Sequence, residues 1–365
     1  MERKNSQALD YLYSPCYYHN QILTPERVLD KHYAVVKEAT GKARQNYFWI
    51  ENIRYGSTWE DTLDVYSYHD NVIAGRPIFV YLHGVYGLDL NKDSSAFAAN
   101  TICENGGILI VVSHRISSNR PADRPVSMQN VCAELGSAME IIFAVATRLK
   151  SSGILLCGHS WGAHLLSMML SLPYSDATQQ NFSMIKAVWL VGGCYNLKPL
   201  AKTYHHNYLQ LTNDDMTTCS PVNCAKQLAK NFKYSGETLF NICVAEYDSP
   251  VFEEEAEEYF LSIKKRLDRN KNFAVELTQF LGRDHFEVIE NLTEISDGFT
   301  QEILAVMIPL LPVLDEDEKY PVISLEKEIL PLSLTGAEHG DRQYKKEISS
   351  KGKKNHVGES KGALW

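Results

Sequence analysis

The sequence predicts an α/β fold, with a mostly parallel central sheet covered by helices on both faces. Three observations carry that prediction. Short runs rich in Val, Ile and Leu recur without alternation, as strands buried on both faces do. Between them lie segments with apolar residues every three or four positions, the spacing of a helix that buries one side. Strands alternating with helices imply parallel order, because a parallel neighbour can be reached only by a crossover.

Taken in chain order, Tyr55-Gly56 and Leu63-Asp64-Val65-Tyr66 suggest a pair of antiparallel strands leading into the sheet. The buried-strand runs follow at 77–82, 108–112, 154–157, 187–191, 239–244 and 275–281, each bounded by Gly, Pro or Asp. Val131, Leu135, Ala138, Ile142 and Val145 mark one helix, and Ala256, Tyr259, Phe260, Ile263 and Leu267 another. Residues 196–235 break the rhythm: polar, aromatic and holding Pro199 and Pro221, they read as an irregular, cap-like insertion beside the site. The apolar run 303–314 contains Pro309 and Pro312 and reads as a core helix and its exit, well short of the roughly 20 residues that cross a bilayer. An acidic run, Asp315-Glu316-Asp317-Glu318, then gives way to a lysine-rich end. The expected organisation is one domain over 1–312 and a disordered charged tail over 313–365.

Composition narrows the function classes. The chain of 365 residues is 44% hydrophobic, enough for one substantial core, and carries a formal net charge of -9. That balance argues against a nucleic-acid partner, which needs clustered Lys and Arg on a domain surface. The basic start has no apolar stretch behind it, so neither secretion nor a membrane anchor is expected. Eight cysteines without a Cys-x-x-Cys pair suit the reduced thiols of a cytoplasmic protein. A homodimer is left open. No metal is expected, because no His-Glu-x-x-His occurs and His159 and His164, five apart, do not share a helical face.

The pattern Gly-x-Ser-x-Gly occurs at Gly158-His159-Ser160-Trp161-Gly162 and again at Gly358-Glu359-Ser360-Lys361-Gly362. The pattern carries chemistry only where a strand feeds a tight, strained turn that projects the serine at the start of a helix. Ile154-Leu155-Leu156-Cys157 supplies the strand, and Leu165, Met168, Met169 and Leu172 the helix. Around Ser360 there is neither, so it reads as coincidence in the tail. A nucleophile elbow in this setting specifies the α/β-hydrolase fold, whose chain order is Ser, acid, His.

A serine hydroxyl attacks only when a histidine takes its proton, and the histidine needs a carboxylate to hold its tautomer. Asp248 follows the 239–244 strand, where open α/β sheets collect their active-site groups, with Glu246 as the nearest competitor. His285 follows the next strand and is expected to be the base. His159 and His164 flank the elbow and are expected to pack or hydrogen-bond there, and His205-His206 falls in the insertion. The oxyanion donors are expected to be the backbone N–H of Trp161 and one from the His83-Gly84-Val85-Tyr86-Gly87 loop, at Val85 or Tyr86.

These motifs, together with Tyr13-Ser14-Pro15, Tyr195-Asn196-Leu197-Lys198-Pro199-Leu200, Ser220-Pro221, Asp248-Ser249-Pro250 and Asp284-His285-Phe286, resemble the kynurenine formamidase (arylformamidase) family from about Tyr11 to residue 310. The resemblance implies hydrolysis of N-formyl-L-kynurenine to L-kynurenine and formate, with Ser160, Asp248 and His285 as the triad and no cofactor. The chain departs from the family pattern at Val85 and Gly87, where His-Gly-Gly-x-Trp is usual, and at Asn196, where Asp is common. Tyr86, Trp161, Tyr195, Asn196, Tyr247 and Phe286 are candidates to contact a small aryl substrate. A broader small-acyl carboxylesterase and a non-catalytic binding protein on the same scaffold are the other readings.

Overall fold

A computed structural model of the chain describes residues 2–84, 90–115, 127–267, 273–313 and 321–333. The main sheet is built from β1 (Phe48–Arg54), β2 (Thr62–Ser67), β4 (Ile78–Leu82), β5 (Ile108–Val112), β6 (Ile154–His159), β7 (Ile185–Val191), β8 (Thr238–Tyr247) and β9 (Phe273–Asp284), while β3 (Asn71–Ile73) lies outside it. The strand order is β1-β2-β5-β4-β6-β7-β8-β9. From β5 to β9 all neighbours are parallel, and only β2 runs against its partners.

The missing alternation has a direct cause. In β4, Ile78, Val80 and Leu82 enter one hydrophobic cluster while Phe79 and Tyr81 enter the other. β5 and β6 divide the same way, with Ile110 and Leu156 on the first face and Val111 and Leu155 on the second. Successive side chains point to opposite faces, so a strand covered on both must be apolar throughout. The helices Met128–Arg148, Trp161–Leu170 and Pro250–Leu267 bury apolar residues in the first cluster. Pro25–Asn46, Ala99–Glu104 and Gly298–Met307 do so in the second. Met128–Arg148 is long and apolar enough to cross a membrane by composition, but its Val131, Leu135, Ala138, Ile142 and Val145 are buried in the core.

Chain order reverses at β4, which has β5 on one side and β6 on the other. Open α/β sheets form their crevice at such a switch point, beyond the C-terminal strand ends. His83-Gly84 leaves β4 there and Ser160 leaves β6.

Two expectations need correcting. Residues 196–235 are helical rather than irregular, as Leu197–Leu200, His206–Leu209, Asn213–Thr218 and Pro221–Asn231. Asn196 and Thr212 cap two of these short helices with their side chains, and Pro221 opens another. The fold also continues past residue 312. β10 (Val322–Ser324) pairs antiparallel with β3, and the following helix, Leu325–Ile329, buries Leu325 and Ile329 completely in the core. The acidic run hid this segment because one strand of three residues and one short helix leave little periodicity to read. Residues 334–365, including Ser360, lie outside the described residues.

Candidate active site

β6 delivers Ser160 into a strained turn, with φ 54° and ψ -121°. Such a conformation costs an L-residue of order 1–3 kcal/mol and persists only where the surroundings impose it. Here the Ser160 N–H donates to the Val191 carbonyl at 2.7 Å, and the Ser160 carbonyl accepts from Ala163 at 3.0 Å and His164 at 3.2 Å as the helix Trp161–Leu170 begins. Neighbouring backbone presses close. A Cβ on Gly162 would overlap the Leu82 carbonyl oxygen, and one on Gly84 would stand 3.0 Å from the Ser160 Cβ. Ser160 Oγ is buried and makes no hydrogen bond among the described residues. A buried hydroxyl left unpaired is costly unless it is held for a reacting partner.

Trp161 is the first residue of its helix, so its N–H has no intrahelical acceptor and is free to face an oxyanion. The other expected donors, Val85 and Tyr86, lie with Gly87 outside the described residues.

Asp248 and His285 arrive from the ends of β8 and β9. His285 Nδ1 donates to Asp248 Oδ1 at 2.7 Å, and Asp248 Oδ2 accepts from the Ala245 N–H at 3.1 Å. That bond leaves His285 Nε2 with its lone pair, the tautomer a general base needs. Glu246 is exposed and accepts instead from the Gly282 N–H at 2.6 Å, which removes it as a competitor. Asp284 fixes the turn that presents His285, with Oδ1 accepting from Phe286 N–H at 3.0 Å and Glu287 N–H at 2.9 Å, and Oδ2 from Gln21 Nε2 at 2.6 Å.

The elements that hold His285 also hold Ser160. His159, the residue before the serine, donates from Nε2 to the His285 carbonyl at 2.9 Å, and the two rings lie 4.7 Å apart. Gly192 follows the carbonyl that binds the serine amide and adopts φ +56°, and a Cβ there would stand 2.7 Å from His285 Cε1 and 3.4 Å from Asp248 Oδ2. Only glycine lets backbone pass this close to the imidazole in that conformation. The histidine and its acid thus sit against the same strand ends that clamp the nucleophile.

The remaining candidates separate. Trp161 is buried with its ring stacked on His164 at 4.4 Å, and Phe286 backs the site between His285 at 5.2 Å and His32 at 4.9 Å. Tyr195 belongs to the core: its ring stacks on Tyr259 at 4.5 Å and its hydroxyl donates to the Leu190 carbonyl at 3.3 Å. It is one of the candidates to contact an aryl substrate, but its ring is buried in the core against Tyr259. Asn196 is half-buried and its side chain accepts from the Lys198 N–H at 3.2 Å, as the cap of a short helix. Tyr247 is half-buried at the end of β8. His159 is held well below its ordinary pKa by burial and then by the nearby His285 and His32, and burial lowers His164 to about 4. Both rings stay neutral around the site. Among the described residues no cluster of His, Cys, Asp and Glu could hold a metal ion.

Sequence reasoning missed Gly192 and the buried Glu255, which bonds the turn after β7. The consecutive glycines at 192–193, directly beyond a buried strand, were the available signal for the first. Nothing local marked the second.

No family model matches the chain. Among curated proteins it is similar to the kynurenine formamidase of Salmo salar, 30% identical over 304 residues that span 83% of this chain and 97% of that protein. The kynurenine formamidase of Danio rerio is 29% identical over the same shares. That of Drosophila melanogaster is 25% identical over 83% of this chain and 98% of its own. Among solved structures, a thermophilic carboxylesterase from a metagenomic library superposes with TM-score 0.53 at 14% identity, covering 80% of this chain and 99% of that one. Esterase B from Lactobacillus rhamnosis gives 0.52 at 15% identity, covering 78% and 94%. At that identity the two structures bear on the fold, which is that of the α/β-hydrolases.

Proposed function

Since the chain belongs to the kynurenine formamidase family, we propose that it hydrolyses the formamide of N-formyl-L-kynurenine to L-kynurenine and formate, with Ser160, Asp248 and His285 as its triad. The observation that carries this reading is the Asp248–His285 bond of 2.7 Å, seated by Gly192 and His159 against the strained Ser160 turn.

Ser160 Oγ attacks the formyl carbon while His285 Nε2 takes its proton. Negative charge builds on the carbonyl oxygen, where the Trp161 N–H and, as the family resemblance implies, a donor at Val85 or Tyr86 would stabilise it. Asp248 stabilises the imidazolium, which hands its proton to the departing aryl amine. The formyl-serine that remains is attacked by water, His285 again serving as base, and formate leaves as Ser160 regains its proton. Atoms balance with substrate and one water, and no cofactor is called for. His159 supports the cycle by staying neutral, since a charged ring at 4.7 Å would oppose protonation of His285.

The test is kcat/KM on N-formyl-L-kynurenine beside a simple aryl acetate, with Ser160→Ala as control. The formamide is expected to be the better substrate, and Ser160→Ala to lower kcat by about 10⁴ or more. An enzyme that cleaves the acetate and leaves the formamide would be an esterase of the same fold, and the proposal would fail.

A further inference from the structure

Glu255 lies on the helix Pro250–Leu267, is only 6% exposed, and forms no salt bridge among the described residues. A buried carboxylate without a cation is unfavourable unless hydrogen bonds answer its charge. Here they do. Oε2 accepts from the backbone N–H groups of Tyr195 at 2.6 Å and Asn196 at 2.9 Å, and Oε1 accepts from the Tyr13 hydroxyl. The Cys194 thiol lies in the same turn and donates to the Asn196 carbonyl at 3.7 Å.

The bonded amides belong to the turn that leaves β7, and that turn touches the chemistry at two places. Gly192 backs the His285 imidazole and the Asp248 carboxylate. The Cys194 carbonyl accepts from His164 Nδ1 at 2.8 Å, and the His164 ring stacks parallel, within 1°, on Trp161. One carboxylate therefore holds the strip of backbone that sets both the histidine and the residue whose N–H faces the oxyanion.

We propose that Glu255 is a positioning residue for the hydrolysis, clamping residues 192–196 so that His285 and Trp161 keep their places relative to Ser160. It touches no substrate. The inference rests on the triad reading above. Small displacements of reacting groups are expensive in rate, about a hundredfold for an ångström. The clamp should therefore show in kcat rather than in KM.

The chemistry of the partners defines an informative pair of variants. Glu255→Gln keeps one oxygen for the two amides, and its NH2 can donate to the Tyr13 hydroxyl oxygen, so the geometry survives without the charge. Glu255→Ala removes every bond. The readouts are kcat and KM on N-formyl-L-kynurenine and, independent of substrate, the rate at which a fluorophosphonate probe labels Ser160, each taken per folded molecule alongside Tm. Glu255→Ala is expected to lose about tenfold to a hundredfold in kcat and in labelling rate, with KM within about twofold. Glu255→Gln is expected to recover to within about threefold of wild type. Should Glu255→Ala not fold, Glu255→Gln and Tyr13→Phe carry the test, the latter costing a few-fold in labelling by freeing Oε1. A Glu255→Ala variant, or Tyr13→Phe in its place, that lowers Tm but labels Ser160 at the wild-type rate would make Glu255 a purely structural residue and overturn the proposal. Wild-type protein that the probe does not label would instead overturn the triad reading, and this proposal with it.

Discussion

At the scale of single residues, Ser160 is the point of highest local cost. Its φ of 54° combined with ψ of -121° is a region that glycine visits freely and serine does not. The strain resides in the Cβ, not in the hydroxyl, which makes two substitutions differ in a predictable way. Ser160→Ala keeps the Cβ and should leave stability near wild type, apart from relief of the unpaired buried hydroxyl. Ser160→Gly removes both and should be more stable than Ser160→Ala by about 1 kcal/mol, from the strain released less the extra freedom of an unfolded glycine. Urea unfolding of the two inactive variants measures the difference directly. Equal stability would mean that the turn is relaxed and that no energy is stored at the nucleophile.

At the scale of elements, the strand ends explain why much of the site could be read in the sequence. Ser160 and Asp248 each follow an apolar run that a twice-covered strand requires, so motif and run boundaries together placed them, whereas His285 follows β9, whose run 275–281 was expected to be buried but lies on the sheet edge with Leu277 and Leu281 exposed. What could not be read depended on contacts between remote parts of the chain. Glu255 meets Tyr13 across 242 positions, and His159 meets the His285 carbonyl across 126, distances at which no periodicity carries information. The segment 321–333 was hidden for a related reason. Among the described residues its strand has only β3 as partner, and its helix contributes just Leu325 and Ile329 as fully buried side chains, so charge patterning outweighed them. Leu325→Ala should therefore cost about 2–5 kcal/mol, as a core truncation does. The exposed Glu326→Ala on the same helix should stay within about 0.5 kcal/mol. Denaturant midpoints of the two variants give the comparison, and matching values would return the segment to the tail.

At the scale of the whole molecule, the fold buries an unusual set of imidazoles and keeps them uncharged. His83 and His159 are held well below the ordinary histidine range and His114 below it, chiefly by burial, while His164 and His205 are lowered to about 4. In the unfolded chain each would titrate near 6.5. Between that value and its folded one, the unfolded state binds a proton that the native state refuses, so stability is full above about pH 6.5 and is lost as the pH falls toward 4. For His164 alone the window of about 2.5 units corresponds to about 3 kcal/mol. Asp64 and Glu255 act oppositely, because burial raises their folded pKa values and protonation relieves them as the pH falls. The histidines outnumber these carboxylates, so the net expectation is a steep loss of stability between pH 6.5 and 5, several kcal/mol in urea titrations at fixed ionic strength. His164→Phe, which keeps an aromatic face against Trp161, should flatten the slope by up to about 1.4 kcal/mol per pH unit. A wild-type stability that is level from pH 7 to 5 would mean that these rings take up protons in the native protein over the same range as in the unfolded chain. A positive His159 beside His285 would then work against the proton transfer on which hydrolysis depends.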